Sequence, residues 1–413
     1  MSFFNHHSAL ICDFFVHEEL AQGTSWTSGH LCLSLFATSG NEPSSVDNII
    51  AALERNDRVC QIDLGCLSSS ELEHVTDSAA MHQPFPNLTH LRLGGFGRES
   101  ILPNSFLGGC APRLQSLSLS NVPFPELPKL LLSGAHLVHL SYYDIPRSGY
   151  ITPEAMATSL SALVNLESLC LQFRCPPPHP SIESRRPPPP PLTRSILPSL
   201  TKIEFKGASE YLEEILARID APGLNKVHIT FFNQIVFELP QLVQLISRRS
   251  TMRAPEKGHI TFNPKAITIR FPPQTSDYGV LSVNISCTAS DWQLSSVEQI
   301  CASSLPPVST LGDLYIFGDR ECQPCWFDAL WLELLHPFAV VKNLYLCKKT
   351  APYIAPAKQE LVGARTTEVL PTLENIFLEG LQPSRPLQKR IKRFVAARQL
   401  TGHPVTVSRW DRK

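Results

Sequence analysis

The residues best placed to support chemistry are two closely spaced cysteines. Cys322-Gln-Pro-Cys325 is a C-x-x-C pair, a spacing found both in structural zinc sites and in redox dithiols. A zinc site needs a second pair at matching spacing, and Cys347 is the only near candidate. A redox pair is expected in a thioredoxin-like βαβ unit, which the flanking sequence does not show. The sequence therefore predicts no metal site here.

The other motifs that could indicate an active site are incomplete. Gly94-Gly-Phe-Gly97 lacks the third glycine of a dinucleotide-binding loop, so it is more simply interpreted as a turn. The sequence contains no phosphate-binding G-x-x-x-x-G-K-[ST] loop, no G-x-S-x-G elbow and no H-E-x-x-H pair. We predict a protein that is not an enzyme, with no catalytic residues and no cofactor. An active site assembled from distant residues is the alternative that stays open.

The composition argues against two classes of partner. The 413 residues include 36 Lys and Arg and 37 Asp and Glu, so the net charge of −1 gives no electrostatic footprint for nucleic acid or an anionic membrane. No apolar run reaches the roughly 18 residues of a membrane span. The 12 cysteines form no small-domain disulfide framework, and the first residues lack the basic start of a signal peptide. These features predict reduced thiols and a cytoplasmic or nuclear protein.

One apolar pattern recurs along the chain and must position any site. Its clearest copy is Leu88-x-x-Leu91-x-Leu93, and the same spacing begins again at Leu114 and Leu166. The last two leucines are two residues apart, which is strand spacing, so both point to one face. This pattern is the strand of a leucine-rich repeat, and stacked copies bury a continuous core that one copy cannot form. Looser copies begin at Val59, Leu137, Leu200, Leu224, Pro264, Leu311, Val341 and Leu373.

Helical periodicity marks the segments between these strands. In 209–219 the apolar side chains form one stripe, which is interpreted as facing the core. The alternation of strand and helix predicts the α/β class. We expect an irregular leucine-rich-repeat solenoid, a horseshoe with parallel strands on the concave face and mostly helices on the convex face. The other predicted helices between repeats are 45–56, 69–80, 124–134, 153–164, 236–249, 293–304, 326–336 and 356–370.

Two sections interrupt the repeats. Prolines at 176–178 and 187–191 rule out helix and interior strand, so 175–195 is predicted to be an exposed loop insertion, in polyproline II form or disordered. A ligand for an SH3- or WW-type domain is the alternative. Residues 258–290 break the register and predict paired strands. We assign 1–45 to an N-terminal cap and 46–410 to the solenoid.

The C-terminal part is predicted to close the core. A helix over 386–399 places Leu387, Ile391, Phe394 and Val395 on one face, and 405–410 is the last strand. The opposite face is expected to be charged and to point outward, as in a capping element. A basic helix that binds lipid or an acidic protein is the sharper alternative. The residues assigned to the charged face are Lys389, Arg390, Lys392, Arg393 and Arg398.

The turns after the strands depart from regular repeats. An Asn or Cys is expected three residues after the last strand leucine. At that position the chain has Phe96, Val122, Ile145 and Leu381. These residues predict hydrophobic turns and an uneven solenoid.

Alternate strand positions face away from the core and form the candidate binding surface. Aromatic side chains at such positions have no folding reason to be there, and clusters of them mark protein-binding sites. The alternative is that the C-terminal segment, with Trp410, folds back and covers the rings. The predicted partner-binding residues are Arg92, Tyr143, Lys202, Lys226, His228, Tyr315, Phe317, Tyr345 and Phe377.

Four stretches resemble the large F-box/leucine-rich-repeat families of mushroom-type (basidiomycete) fungi. They are 47–64, with its N-I-x-x-A-L-E helix followed by D-R-V, and 85–93, 162–169 and 371–376; the resemblance covers about residues 45–410. In that family an N-terminal F-box docks on the Skp1 adaptor of a cullin ubiquitin ligase, and the repeats select the protein to be ubiquitinated. The resemblance therefore implies a protein-interaction module that recognises ligase substrates.

The N-terminal residues depart from that family. The 44 residues before Ser45 lack the leucine-proline helix opening of an F-box. A Skp1-type adaptor is therefore expected as a partner only if an F-box lies upstream. A leucine-rich-repeat scaffold with no ubiquitin-ligase link, using the same surface, is the alternative.

Overall fold

Two compact units make up the chain in the computed structural model. One consists of Met1–Gly207 and Ala217–Gly223, the other of Ala208–Leu216 and Leu224–Lys413, and each is described by itself. Most of the predicted proline-rich loop, the cysteine pair at 322 and 325, and the helices predicted over 326–336 and 356–370 lie wholly or largely outside the described residues. The structure describes residues 16–19, 32–36, 44–176, 194–234, 237–249, 252, 255–272, 279–287, 290–303, 308, 310–318, 334–348, 350–351, 369–380 and 385–411.

A mostly parallel sheet forms the centre of the first unit. Its strands are β1 (Val16–Glu19), β2 (Cys32–Phe36), β3 (Val59–Ser68), β4 (His90–Phe96), β5 (Ser116–Ser120), β6 (His139–Ile145), β7 (Ser168–Phe173), β8 (Ser195–Ile196), β9 (Lys202–Gly207) and β10 (Ile219–Asp220). β8 and β10 pair only with each other among the described residues. The remaining strands pair in chain order, and all are parallel except β1, which runs antiparallel to β2.

Leucines at the repeat positions fill the core of this unit. Leu91, Leu117 and Leu169 are each at most 2% exposed, so the register predicted from the sequence is confirmed at these strands. Leu91 is the cross-strand partner of Leu117, and Leu140 is the partner of Leu169. Equivalent side chains therefore pack against one another from strand to strand, as a stacked repeat requires.

Helices and 3-10 turns connect the strands. The helices are α1 (Ser44–Leu53), α2 (Ser69–Thr76), α3 (Leu127–Ser133), α4 (Pro153–Leu160), α5 (Ser209–Arg218), α6 (Pro240–Ser247), α7 (Ser290–Ser303) and α8 (Arg385–Leu400). α2 begins at a capping box, because Ser68 and Glu71 each accept a hydrogen bond from the backbone N–H of the other. The connection between β4 and β5 contains the 3-10 turn Phe106–Gly109, in agreement with the prediction of mostly, not only, helical connections.

The turn after β4 differs from the prediction. Val122 and Ile145 are buried, as expected of hydrophobic turns, but Phe96 is 64% exposed. Asn121 is buried next to this turn and its Nδ2 donates a hydrogen bond to the carbonyl oxygen of Gly95 at 2.8 Å. The hydrophobic turn predicted from Phe96 is therefore not packed by its ring, and the buried amide of Asn121 satisfies the backbone there.

The glycine run interpreted as a turn is partly strand. Gly94 and Gly95 lie in β4, and only Gly97, with a φ of 101°, lies beyond it. A Cβ atom on Gly94 would lie 2.7 Å from the carbonyl oxygen of Gly65. Glycine is therefore needed at Gly94 for the close approach of β3 and β4, which the sequence motif alone could not indicate.

The sheet of the second unit is mixed. Its strands are β11 (Lys226–Phe231), β12 (Lys257–Asn263), β13 (Ala266–Phe271), β14 (Val280–Ser286), β15 (Asp313–Gly318), β16 (Asn343–Leu346), β17 (Asn375–Glu379) and β18 (Thr406–Trp410). β13 is antiparallel to both β12 and β14, which confirms paired strands within 258–290. The pattern at Pro264 was predicted to be a further copy of the parallel repeat strand, and this prediction was wrong. The pairs β11–β14, β12–β15, β15–β16, β16–β17 and β17–β18 are parallel.

Replacing Tyr142 with phenylalanine is expected to destabilise the protein by about 1–2 kcal/mol. Tyr142 takes a leucine position in β6 and is 0% exposed, and burial raises the pKa of its hydroxyl to about 12. This hydroxyl accepts a hydrogen bond from the N–H of Phe124 at 3.2 Å and donates one to the carbonyl oxygen of Gly149 at 3.4 Å. Urea-induced unfolding measures the loss.

The neighbouring tyrosine provides the control for this substitution. Tyr143 lies on the other face of β6, partly exposed, and its hydroxyl accepts a hydrogen bond from Ser118 at 3.3 Å. Tyr143→Phe should change the free energy of unfolding by no more than about 0.5 kcal/mol. Equal losses for the two variants would contradict the role assigned to the buried hydroxyl.

Candidate protein-binding surface

Strand alternation places a row of rings on the outward face of the second unit. In β15 and β16 the side chains of Leu314, Ile316 and Leu344 are buried, so the residues between them face away from the core. The parallel register then aligns Tyr315 with Tyr345, and Tyr345 with Phe377. The predicted alternation is confirmed in these strands.

The aligned rings stack face to face. The centroids of Tyr315 and Tyr345 are 4.1 Å apart with an interplanar angle of 8°, and those of Tyr345 and Phe377 are 4.5 Å apart at 9°. These spacings follow from the roughly 4.8 Å between neighbouring strands. The rings remain partly exposed. We call the set of six residues His259, Tyr315, Phe317, Tyr345, Phe377 and Trp410 the aromatic surface.

Trp410 forms a wall beside the stack. Its ring lies 6.0 Å from Tyr315 and 5.6 Å from Tyr345, at interplanar angles of 74° and 82°. Its Nε1 donates a hydrogen bond to the carbonyl oxygen of Leu346 at 3.4 Å, which fixes the ring. The C-terminal strand therefore contacts the rings, as one alternative predicted, but Tyr315, Tyr345 and Phe377 keep part of their surface in solvent.

His259 and Phe317 are the remaining members of the aromatic surface. β12 pairs with β15 so that His259 is aligned with Tyr315, and the two ring centroids are 4.8 Å apart. Phe317 is 5.8 Å from His259 and 6.3 Å from Trp410. The sequence reasoning missed His259, although the alternation of polar and apolar residues in 257–262 could have placed it on this face.

A chain of polar side chains runs beside the rings, one from each strand. The Nδ2 of Asn343 donates to Oδ1 of Asp313 at 2.7 Å, and the Nδ2 of Asn375 donates to Oδ1 of Asn343 at 2.8 Å. The hydroxyl of Thr406 donates to Oδ1 of Asn375. We call these four residues the polar ladder. It ends at the Asp313 carboxylate, which has no ion pair within the described part of the chain.

The two tyrosine hydroxyls of the surface remain protonated. Burial raises the pKa of Tyr315 and of Tyr345. The neighbouring Tyr345 and then Asp313 raise the pKa of Tyr315 further, whereas for Tyr345 the effect of Asp313 is opposed by the hydrogen bond with Tyr315. A neutral phenol can donate a hydrogen bond to a carbonyl oxygen of a bound chain. The surface therefore combines apolar ring edges, neutral phenols and the carboxylates of Asp313 and Glu379.

The other predicted site residues do not join the aromatic surface. Arg92, Tyr143 and Lys202 belong to the first unit. There Arg92 lies 3.5 Å from a carboxylate oxygen of Asp63, and Lys202 lies 2.7 Å from one of Glu204. Lys226 and His228 are on the outward face of β11 in the second unit. The strands β14, β13 and β12 lie between β11 and the first tyrosine of the stack.

The cysteines show one departure from the expected reduced state. Cys110, Cys170, Cys175, Cys287, Cys301 and Cys347 are free thiols, whereas Cys60 is disulfide-bonded. Burial, helped by Glu204, raises the pKa of Cys170 to about 11, so its thiol stays protonated and unreactive. Within the residues that the structure describes, no group of three or more His, Cys, Asp or Glu could hold a metal ion. The same residues include no helix long and apolar enough to cross a membrane.

The repeated strand and return segment defines an α/β repeat protein with a mostly parallel sheet. No family model and no curated protein matches the sequence. Among solved structures, the chain is similar to the leucine-rich repeat-containing protein LegL7 from Legionella pneumophila. The two are 14% identical over 84% of this chain and 92% of that one, with a TM-score of 0.26. A TM-score this low supports no statement about function.

Proposed function

We propose that this α/β repeat protein is a protein-interaction module whose partner binds the aromatic surface. The observation that carries the proposal is the stack of Tyr315, Tyr345 and Phe377, held partly in solvent on the outward face of the sheet. Tyrosine and tryptophan are the side chains most often found at the energetic centres of protein interfaces. The folded core does not require them, because Leu314, Leu344 and Ile376 fill it from the other face.

The resemblance to F-box/leucine-rich-repeat families extends this proposal to a class of partner. On that reading, the aromatic surface selects a protein for ubiquitination, and an F-box elsewhere in the protein docks on a Skp1-type adaptor. The alternative remains a scaffold with the same surface and no ligase link. Co-purification with Skp1 and a cullin distinguishes the two, because only the first predicts both proteins in the complex.

Phe377→Ser is expected to reduce the capture of the bound protein by at least about tenfold. Phe377 is at the end of the stack, and within the described residues its one ring contact is with Tyr345, so its loss should lower the melting temperature by less than about 5 °C. Affinity purification with mass spectrometry, comparing the unchanged chain with the variant, identifies the captured proteins that depend on this ring.

The matched control is Phe96→Ser. Phe96 is an aromatic residue that is 64% exposed and belongs to the first unit, whereas the aromatic surface belongs to the second. Its replacement should leave capture unchanged. If both variants capture the same proteins as the unchanged chain, the aromatic surface is not the binding site. A large fall in melting temperature for Phe377→Ser would show that the ring acts in folding.

A further inference from the structure

The shape of the aromatic surface selects among ligands. The faces of Tyr345 are covered by the rings on either side of it, at 4.1 and 4.5 Å, so a ligand meets the edge and the phenol group of this central ring rather than an open face. Nucleobases bind single-strand sites by stacking on aromatic faces, and the carboxylates of Asp313 and Glu379 would repel phosphates. The surface therefore favours an extended peptide lying across the strands, against the wall formed by Trp410.

The spacing of the stack matches one type of peptide. A polyproline II chain repeats every three residues with a rise of about 3.1 Å each, which is about 9 Å per turn. That length is close to the two successive ring spacings of 4.1 and 4.5 Å taken together. Prolines three residues apart would then lie over Tyr315 and Phe377. Grooves lined by aromatic rings bind proline-rich segments in this way, because the chain is already ordered before it binds.

The charges next to the surface are complementary to a sequence in the same protein. Asp313 and Glu379 lie at two sides of the stack, and neither forms an ion pair with another described residue. Arg185-Arg186 directly precedes the five prolines at 187–191. A carboxylate beside an aromatic groove can therefore pair with a guanidinium just outside the proline run.

We propose that the aromatic surface binds the proline-rich segment 185–191 of a second copy of this chain. The prolines contact the ring edges of Tyr315, Tyr345 and Phe377, and Arg185 or Arg186 pairs with Asp313. This inference rests on the proposed function, because it uses the same surface as the binding site. The segment and the surface are different parts of the chain, so either a reciprocal pair or a head-to-tail series of copies satisfies the contact.

The binding test uses a fluorescent peptide of residues 183–194 and the full-length protein. In the receptor, the five prolines at 187–191 are replaced by alanine, so that its own segments do not compete. We expect saturable binding by fluorescence anisotropy, with affinity about tenfold lower for Phe377→Ser and unchanged for Phe96→Ser. A peptide with alanine at 187–191 should not bind.

A charge variant separates binding from folding. Asp313→Asn keeps an oxygen that can accept the hydrogen bond of Asn343 and removes only the charge. This variant should lower the affinity for the peptide by about threefold at low salt and by less at high salt. A peptide with glutamine at positions 185 and 186 should lose the same salt dependence. Unchanged peptide affinity in both receptor variants, Phe377→Ser and Asp313→Asn, would overturn the proposal.

The second copy is tested by sedimentation of the unchanged chain. Association should increase with protein concentration and disappear when the five prolines are replaced by alanine. If the chain stays monomeric at concentrations well above the Kd of the peptide, the proposal that a second copy binds the aromatic surface is wrong. If the peptide does not bind but Phe377→Ser still abolishes capture of cellular proteins, this inference fails and the proposed function stands. If Phe377→Ser changes neither the binding of the peptide nor the capture of cellular proteins, both this inference and the proposed function are wrong.

Discussion

Replacing Arg398 with methionine is expected to destabilise the second unit by about 2–4 kcal/mol. Arg398 lies in α8 and is 0% exposed. Its Nη2 lies within hydrogen-bonding distance of three backbone carbonyl oxygens: Leu370 at 3.1 Å and Pro371 and Leu373 at 3.3 Å. These carbonyls belong to the turn that leads into β17, so Arg398 ties the last helix to the strand that carries Phe377.

Methionine retains most of the apolar volume of the arginine stem, so the measured loss reports the polar contacts. Burial lowers the pKa of Arg398, and removing the charge recovers part of that desolvation cost. The recovered energy offsets only part of the loss, because the carbonyl oxygens keep their own desolvation cost without a donor. Arg393→Met on the exposed side of α8 is the matched control and should change the stability by about 0.5 kcal/mol at most. Similar urea midpoints for the two variants would contradict the role of Arg398.

Leu117→Ala is expected to destabilise the first unit by about 2–5 kcal/mol. Leu117 is 1% exposed and packs between the equivalent residues Leu91 and Leu140 of the neighbouring strands. Alanine there leaves a cavity that the strands cannot close, because they are held in register on both sides. Leu169→Ala, at 2% exposure in β7, should have an effect of the same size.

The control for the two leucine substitutions is a substitution of Ser118, the residue that follows Leu117. Ser118 is on the outward face of β5 and is partly exposed. Ser118→Ala loses one hydrogen bond to Tyr143 and should change the free energy of unfolding by less than about 1 kcal/mol. Urea-induced unfolding of the three variants measures the difference. Near-neutral values for both leucine variants would mean that these side chains do not fill the core.

Repeat strands were predictable because one short pattern decides their register. Leu91, Leu117 and Leu169 were assigned to the core from spacing alone, and all three are buried. Apolar residues two apart can be buried together only in a strand, and a parallel neighbour with the same pattern extends the core. The horseshoe form remains a prediction.

The reversed strand β13 marks the limit of this reasoning. Ile267 and Ile269 have strand spacing and are buried, but the pattern does not carry the direction of the strand. The short connection from Asn263 to Ala266 makes the chain turn back, so β13 pairs antiparallel to β12. The position of His259 beside Tyr315 depends on the β12–β15 pairing, which joins strands far apart in sequence.

Arg398 was wrongly assigned to the charged outer face of the last helix. It lies seven residues after Ile391, which is two helical turns, so it belongs to the same face as the buried Ile391. The charge of the side chain predicts an exposed position, whereas the helical periodicity predicts a buried one. The carbonyl oxygens that accept its hydrogen bonds lie 25 to 28 residues earlier in the chain, and their position could not be read from the helix.

The polar ladder makes the length of the aromatic surface adjustable by gene duplication. Its side chains are joined by hydrogen bonds between residues 30, 32 and 31 positions apart, one from each consecutive strand. An in-frame duplication of residues 343–374 would insert one more asparagine into the ladder and one more tyrosine into the stack, in unchanged register. Each copy would lengthen the surface by about 4.8 Å. Duplication of whole repeats would therefore change the length of the aromatic surface while each added strand repeats the residues already present.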